Sequence, residues 1–327
     1  MRRWLRQRRF GGSMKVGITC GGIGPYASGD FLRRSVQAAE RAGFAHYWIP
    51  DHVVLFASYP QSKYPYAEGS GQKIPDQAPD APLQFGDDTF ALVDPTVSFA
   101  DPVVAMTWLA AVTTTIEIGS NVLVLPQRHP IILGKQLATL DACCYGRTIL
   151  GVGAGWAKED FDAIGVDFTK RGKITNEMIR ILKSLWRDHA STFDGEFFKF
   201  KDAFCYPKPA RPGGVPIFVG GESKAALRRV AELCDGWLPY NLPVESASAA
   251  ITELKRMTRA ADRNPDALRI CKIVYATATL DDLKRYRDAG VTEFNLATNG
   301  DIPIEDAGMK AKFREWKETL VGPIAEL

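Results

Sequence analysis

The sequence is poor in histidine, and the few histidines it has are not arranged as metal ligands. They stand at positions 46, 52, 129 and 189, with no HExxH motif and no cluster of metal-ligand spacing. The six cysteines include one vicinal pair but no CxxC motif. Several cysteines lie among apolar residues, where cysteine usually acts as a small buried hydrophobe: Cys20, Cys234 and Cys271. We therefore predict a protein that binds no metal and is suited to a reducing cytoplasm.

Long apolar runs and familiar nucleophile motifs are also missing. No apolar run approaches the ~20 residues that span a bilayer, and there is no GxSxG elbow. Lys15 opens the first predicted strand and Lys272 falls early in the seventh, so no lysine ends a strand and a Schiff-base aldolase is not indicated. With neither a nucleophile nor a metal, a borrowed organic cofactor is the natural source of reactivity.

The positive charge of the chain is concentrated at its start. The net charge is +3, and five arginines lie within residues 1–13. Removing these five positive charges from +3 leaves −2, so a nucleic-acid partner has no electrostatic support. The segment has no apolar stretch after its arginines and therefore does not read as a secretory signal. We interpret it as an upstream start or a cloning remnant, or else as a basic interaction arm, and residues 14–327 as one domain.

Strand and helix patterns alternate along the rest of the chain. Gly43 and Gly290 stand where left-handed helix C-caps are expected. Eight alternations with strands buried on both faces favour a closed (β/α)8 TIM barrel of the α/β class over an open doubly wound sheet. The predicted strands are Lys15–Thr19, Ala45–Pro50, Ile116–Val124, Thr148–Val152, Pro216–Val219, Gly236–Pro239, Arg269–Ala276 and Thr292–Ala297. The predicted helices include Phe31–Ala42, Thr175–Asp188, Lys224–Cys234, Glu245–Ala261 and Leu280–Ala289.

Two insertions interrupt this alternation, after the second and the fourth strands. The loop from Val53 to Asp94 is rich in tyrosine and proline, which is typical of a packed lid over the catalytic face of a barrel. The segment from Ala190 to Gly214 contains Asp194-Gly195 between aromatic residues, which predicts a small hairpin.

The carboxyl ends of the predicted strands carry the candidate site residues, because active sites of such barrels lie there. Asp51-His52 ends the second strand, where a histidine can transfer a proton near neutral pH or, alternatively, belong to a structural pair. Gly151-Val-Gly-Ala-Gly155 is not a dinucleotide fingerprint, since Trp156 replaces the third glycine. We interpret it as a tight strand exit that lets a planar ring approach the backbone.

The loop Gly220-Gly221-Glu222-Ser223 is the best phosphate site in the sequence. Adjacent glycines expose backbone N–H groups, and Ser223 is a good N-cap for a helix whose N-terminus favours an anion. A glycine turn with an ordinary cap is the structural alternative. Glu222 is an awkward neighbour for a phosphate unless its side chain points away.

Several of these motifs, in order and at fitting separations, resemble the bacterial-luciferase-like superfamily of flavin and deazaflavin oxidoreductases. The likeness runs from about Lys15 to the C-terminal helix and is closest to the branch labelled F420-dependent oxidoreductases. It is carried by VLVLPQRHP at residues 122–130, KQLATLD at 135–141, Gly146-Arg147 and GVGAGW at 151–156. In a sugar-phosphate dehydrogenase relative that uses the deazaflavin, an acid takes the place of Trp156, which argues against that particular chemistry.

The resemblance implies roles for the strand-end residues. It implies catalytic roles for His52 and Asp51, and a non-proline cis peptide at Asn121-Val122 behind a flavin ring. The residues it implies for cofactor binding are Asn121, Val122, Val124, Gly153, Ala154, Gly155, Gly220, Gly221 and Ser223. The cofactor would be FMN or coenzyme F420, and the sequence does not decide between them.

The sequence as a whole indicates an enzyme, a flavin-type oxidoreductase or monooxygenase that acts on a small organic substrate with a dissociable reduced cofactor. We expect a cytoplasmic protein without membrane or nucleic-acid partners. A separate flavin or deazaflavin reductase and a homodimer are compatible with the resemblance. Two alternatives stay open: a phosphate-binding barrel lyase or isomerase without a redox cofactor, and a non-catalytic flavin-binding relative.

Overall fold

A computed structural model describes residues 14–62, 95–240, 242–275, 277–298 and 302–327. The predicted leader at residues 1–13, and most of the predicted lid, residues 63–94, lie outside these ranges.

The strands form a closed, parallel, eight-stranded barrel, which confirms the predicted fold class. The barrel strands are β1 Lys15–Thr19, β2 His46–Ile49, β3 Glu117–Ser120, β4 Leu123–Val124, β5 Thr148–Gly153, β8 Ile217–Gly220, β9 Gly236–Leu238, β10 Arg269–Tyr275 and β11 Glu293–Ala297. The sheet runs in the order β3-β2-β1-β11-β10-β9-β8-β5-β4, and a further pairing of β3 with β5 closes it. The predicted third strand is two short strands, β3 and β4, interrupted at Asn121-Val122.

Helices surround the barrel, and their ends follow the local signals in the sequence. Ser28 caps the first helix by accepting a hydrogen bond from Phe31 N. Gly43 and Gly290 have φ values of +90° and +105°, which confirms their predicted left-handed conformation after a helix. The helices are α1 Gly29–Ala42, α2 Pro102–Ala111, α3 Pro130–Cys143, α4 Lys158–Ala163, α5 Arg171–Arg187, α6 Lys224–Leu233, α7 Val244–Ala260, α8 Leu280–Asp288, α9 Asp306–Trp316 and α10 Gly322–Ala325.

The second insertion forms the predicted hairpin. Strands β6 Ser191–Asp194 and β7 Lys199–Ala203 are antiparallel, and Gly195 N donates to Phe198 O at 3.0 Å in the connecting turn. The rings of Phe193 and Phe200 stack across the two strands. The hairpin belongs to the periphery of the barrel and supplies none of the barrel strands.

Large side chains fill the barrel, and glycines make room for them. Trp48 and Phe218 are fully buried inside it. A Cβ atom on Gly119 would lie 2.5 Å from the Trp48 ring, and one on Gly236 would lie 2.7 Å from the Phe218 ring. The barrel interior is therefore a packed core, and a ligand has room only at its ends.

Buried charges close the amino-terminal end of the barrel. The Arg269 guanidinium donates to both oxygens of Glu293, at 2.5 and 2.8 Å, and to Glu117 at 3.0 Å. Arg211 also binds Glu117, and His46 Nε2 lies 3.1 Å from Glu293. Burial alone would raise the pKa of the Glu293 carboxyl, but the hydrogen bond from His46 and the charge of Arg269 outweigh it and hold that pKa well below its usual range. We call these five residues the ionic floor.

The ionic floor also brings together potential metal ligands. Atoms of His46, Cys271 and Glu293 lie within 4.8 Å of one another. However, Trp48 Nε1 donates to His46 Nδ1 at 2.6 Å, and Arg269 already binds both oxygens of Glu293. Burial raises the pKa of the Cys271 thiol well above its usual value, so the thiol keeps its proton. Hydrogen bonds from Trp48 and Arg269 thus already occupy His46 Nδ1 and both oxygens of Glu293.

The Arg147 side chain, part of the Gly146-Arg147 motif, has a structural place. It is buried and donates to the backbone carbonyls of Cys144, Ile116, Ala110 and Thr113. These bonds tie the end of α2 to the start of β3 and the turn before β5. Within the described ranges, no helix combines the length and the apolar character that crossing a bilayer requires.

Candidate active site

A buried polar niche lies at the carboxyl end of β2. The His52 Nδ1 atom is 3.8 Å from Asp160 Oδ2, and both side chains are 7% exposed. Gln127 Nε2 donates to the same carboxylate oxygen at 3.2 Å. Three atoms of this niche are buried without a hydrogen-bond partner in the described structure: His52 Nδ1, Asp160 Oδ1 and Gln127 Oε1. Because such atoms are costly to leave unpaired, the niche is suited to receive a polar group.

The Asp160 carboxyl in this niche has an altered pKa. Burial raises the pKa of the Asp160 carboxyl, and the neighbouring His52 and Gln127 offset only part of that rise. A carboxyl that holds its proton more strongly than usual, beside an imidazole, is a pair suited to general acid–base chemistry. The sequence reasoning did not single out Asp160, which belongs to α4.

Aromatic rings enclose His52 on several sides. The ring centroids of Phe99, Tyr59 and Trp156 lie 5.6, 6.3 and 6.5 Å from that of His52. Tyr59 and Trp156 also pack against each other, with centroids 5.5 Å apart. Trp156, which replaces the third glycine of a dinucleotide fingerprint, is thus a wall of the niche. These rings make the surroundings of the imidazole apolar.

The described start of the long insertion and the residues that follow it both lie near His52. Glu159 accepts hydrogen bonds from Gln61 N at 2.7 Å and from Ser62 Oγ at 2.6 Å. On the other side of the insertion, Phe99 forms an isolated bridge with Ile23. The described start of the insertion and the residues that follow it are therefore held at the strand-end face. The intervening residues 63–94 lie outside the described ranges.

Asp51 has a different set of partners from His52. Its carboxylate binds the Arg128 guanidinium through two hydrogen bonds, at 2.6 and 2.8 Å, and accepts another from Val124 N at 2.8 Å. The Asp51 side chain is fully buried. It therefore ties the end of β2 to β4 and to the motif arginine, and the acid beside the His52 imidazole is Asp160.

The break between β3 and β4 places two predicted cofactor residues. The Asn121-Val122 peptide bond is cis, as the resemblance implies. Asn121 Nδ2 donates to Thr19 Oγ1 at 3.4 Å, inside the barrel. The Val122 side chain lies close to two strand-end glycines, because a Cβ atom on Gly153 or on Gly220 would be 2.9 Å from its methyl groups. Three strand ends thus meet around Val122.

The turn after β5 is tight, and neighbouring side chains pack directly against its backbone. Gly155 has a φ of +86°, and a Cβ atom there would lie 2.6 Å from the Phe161 ring and 2.8 Å from Val124. The Arg171 guanidinium donates to Gly155 O at 3.1 Å. Ala154, between the two glycines, is half-buried. Val124 therefore packs beneath this turn.

The predicted phosphate loop, residues 220–223, joins β8 to α6. Gly221 has a φ of +97°, and Ser223 Oγ accepts a hydrogen bond from Ala226 N at 3.2 Å, which confirms the predicted N-cap. The Glu222 carboxylate accepts from Tyr240 N at 2.6 Å. Its side chain is therefore directed toward the next strand, which answers the concern about an acid beside a phosphate.

The fold and the strand-end residues define a (β/α)8-barrel protein with one glycine-lined mouth and a buried histidine–carboxyl niche beside it. The family profile for luciferase-like monooxygenases matches residues 84–319, and the chain belongs to this family.

Individual proteins agree with this assignment. An uncharacterized protein of Mycobacterium tuberculosis is 34% identical over 260 residues, which cover 79% of this chain and 81% of that protein. The F420-dependent glucose-6-phosphate dehydrogenase of Kineococcus radiotolerans is 33% identical over 135 residues, 40% of this chain and 39% of the enzyme. The FMNH2-dependent dimethylsulfone monooxygenase of Pseudomonas putida is 32% identical over 150 residues, 45% of this chain and 41% of the enzyme.

A solved structure shows the same architecture over nearly the whole chain. The F420-dependent secondary alcohol dehydrogenase in complex with an F420–acetone adduct superposes with a TM-score of 0.72 at 16% identity. The superposition covers 96% of this chain and 99% of the dehydrogenase. At this identity the likeness supports the fold alone.

The mouth fits a flavin-type cofactor in several respects. Gly153 and Gly220 lack the side chains that would collide with the Val122 methyl groups, so the backbones of two strand ends pack closely against Val122. The capped start of α6 offers N–H groups and a favourable dipole end for a phosphate. His52 and the aromatic walls lie at a neighbouring strand end. Side-chain-free strand ends that a ring can approach and a helix start that favours an anion correspond to the two ends of such a molecule.

Proposed function

We propose that the protein is an oxidoreductase that acts on a small organic substrate with a dissociable reduced cofactor, either FMN or the deazaflavin F420. The observation that carries this proposal is the glycine-lined strand-end surface around Val122, with the buried pair His52 and Asp160 at the second strand. Family membership and relatives that use FMNH2 or F420 support it.

Different parts of the site would serve different parts of the cofactor. Gly220, Gly221 and Ser223 would hold the phosphate, since the start of α6 favours an anion. Asn121, Val122, Val124 and the turn Gly153-Ala154-Gly155 would contact the ring. When bound, the reduced cofactor supplies either hydride transfer, as F420, or oxygen activation, as FMN.

His52 would move protons between the ring, the substrate and the protein. Its aromatic surroundings exclude water from the imidazole. Asp160 lies close enough to orient the His52 ring or to balance the positive charge of its protonated form. Asp51, which was predicted to be catalytic together with His52, would act indirectly, because its ion pair with Arg128 fixes the strand ends. Substrate would enter beneath the insertion that follows β2.

A titration of the apoprotein with FMN and with F420, compared by affinity, tests the proposal and chooses the cofactor. Selective tight binding of FMN favours a monooxygenase supplied by a separate flavin reductase, whereas selective binding of F420 favours hydride transfer. If neither ligand binds, the phosphate-binding lyase alternative gains and the oxidoreductase proposal fails. Binding without turnover of any substrate would favour the non-catalytic relative.

A further inference from the structure

The phosphate loop is held to the neighbouring strand at two points. Trp237 Nε1 donates to Gly221 O at 2.9 Å, and the Glu222 carboxylate accepts from Tyr240 N at 2.6 Å. Both contacts join the β8–α6 loop to β9 and to the residues that follow it. The position of the two loop glycines therefore depends on how the Tyr240 segment is held.

A buried lysine holds that segment from the other side. Lys272 on β10 is 4% exposed, and its Nζ donates to Tyr240 O at 2.6 Å and to Ile273 O at 2.8 Å. The N–H of Tyr240 thus binds an anionic side chain and its C=O binds a cationic one. Burial lowers the pKa of Lys272 to about 8, while the nearby Glu222 carboxylate favours its charged form.

We propose that Glu222, the Tyr240 backbone and Lys272 form a brace that positions the phosphate loop and keeps the Glu222 charge away from the bound phosphate. In this role Glu222 and Lys272 are positioning residues that need not touch the cofactor. The inference rests on the proposed function, because the brace matters only if residues 220–223 bind a phosphate.

Two physical effects support the brace. A carboxylate free to rotate beside an anion would repel it, whereas a carboxylate fixed on the Tyr240 N–H is directed elsewhere. The Glu222 carboxylate and the Lys272 ammonium hold the N–H and the C=O of the same residue, Tyr240, so the negative group has a positive group on the other side of its anchor. The brace spans three adjacent strands, β8, β9 and β10, and it orders the loop before the phosphate arrives.

The test compares a phosphate-bearing cofactor with its phosphate-free counterpart: FMN with riboflavin, or F420 with its phosphate-free deazaflavin. We expect the unaltered protein to prefer the phosphate-bearing form at least tenfold in Kd. Glu222→Ala should reduce this preference at least fivefold and change the affinity for the phosphate-free form less than twofold. Glu222→Gln should retain most of the preference, because its amide oxygen can still accept from Tyr240 N.

Further variants keep the test decisive. Lys272→Met has a similar shape, lacks the ammonium and should also reduce the preference, so it tests the other half of the brace. Glu232→Ala removes an exposed carboxylate from the same helix, α6, and should leave the preference unchanged.

The phosphate assignment and the brace would fail with different results. Equal binding of the paired ligands by the unaltered protein, or binding of neither pair, would contradict the phosphate assignment itself. A strong preference that survives both Glu222→Ala and Lys272→Met would overturn the brace and leave the phosphate assignment intact. Tighter FMN or F420 binding by Glu222→Ala would also overturn it, because that result would mean the carboxylate only repels the phosphate.

Discussion

His52 has two features that a proton-transferring residue needs, a polar neighbour and an apolar enclosure. Asp160 and Gln127 supply polar atoms beside its ring, and Phe99, Tyr59 and Trp156 surround it. The sequence located His52 because it directly follows a strand. Asp160 could not be located in the same way, since it comes from a short helix after a different strand and only the closed barrel brings the two together.

His52→Ala should lower the rate of the chemical step at least tenfold, because removing a positioned acid or base typically costs about 10²–10⁴ in rate. The measurement is a single-turnover rate with reduced cofactor and a substrate that the protein converts, both saturating. His189→Ala is the control, since His189 binds Tyr206 beside the peripheral hairpin. An unchanged single-turnover rate with weaker substrate affinity would make His52 a structural residue.

Gly221→Asp should weaken cofactor binding by well over tenfold, about 1.4 kcal/mol or more. The substitution adds a negative charge at the start of α6 and a side chain at a φ of +97°. The matched control is Gly213→Asp, because Gly213 also has a positive φ, of +87°, and has open space around it. Equal cofactor affinity in the two variants, with both folded, would refute the assignment of the phosphate loop.

At the scale of elements, hydrophobic periodicity and the positions of glycine and proline predicted most of the barrel strands and helices. The strands at Lys15–Thr19 and Gly236–Pro239 are within a residue of those observed, because both are short apolar runs with glycine or proline nearby. Periodicity did not predict the break within Ile116–Val124, which the sequence pattern treated as one strand and the structure divides into β3 and β4. The resemblance located that break, whereas local propensity did not. The second anchor of the phosphate loop, Tyr240, depends on a contact between neighbouring strands and has no local signal.

The long insertion between Val53 and Asp94 should become more ordered when cofactor or substrate binds. Its described start is already fixed to α4, and Phe99, which follows it, is bridged to Ile23, so closure would involve the residues between these points. Hydrogen exchange with and without cofactor measures this directly. Protection that rises at the strand ends but stays constant in the insertion would rule out a lid.

At the scale of the whole molecule, the two ends of the barrel have different tasks. The mouth presents buried polar atoms without partners, glycines and aromatic rings, whereas the arginines and glutamates of the ionic floor bind one another. Buried ion pairs are costly to disrupt from one side, since the remaining charge loses its partner. Substitutions in the ionic floor should therefore change the free energy of unfolding and leave the chemistry at the mouth unchanged.

Glu293→Gln should lower the free energy of unfolding at pH 7 by about 3–5 kcal/mol, because it leaves the buried Arg269 with one fewer carboxylate. The pKa of Glu293 is depressed in the folded state, so its contribution is complete above the ordinary value of 4.5 and is lost as the pH falls below it. The stability difference between parent and variant should therefore narrow in acid. Denaturant unfolding between pH 7 and pH 3 measures it, and a gap that widens in acid would contradict the role of the floor.

The packed interior of the barrel also constrains the sequence of events during turnover. Trp48 and Phe218 fill the centre and the ionic floor closes one end, so in the described part of the chain ligands can exchange only through the mouth. A cofactor seated on the strand ends would lie deeper than the substrate placed over it. The cofactor must then bind before the substrate and dissociate after the product. We expect a compulsory-order mechanism in which product leaves before the spent cofactor, and product-inhibition patterns that differ for the two ligands.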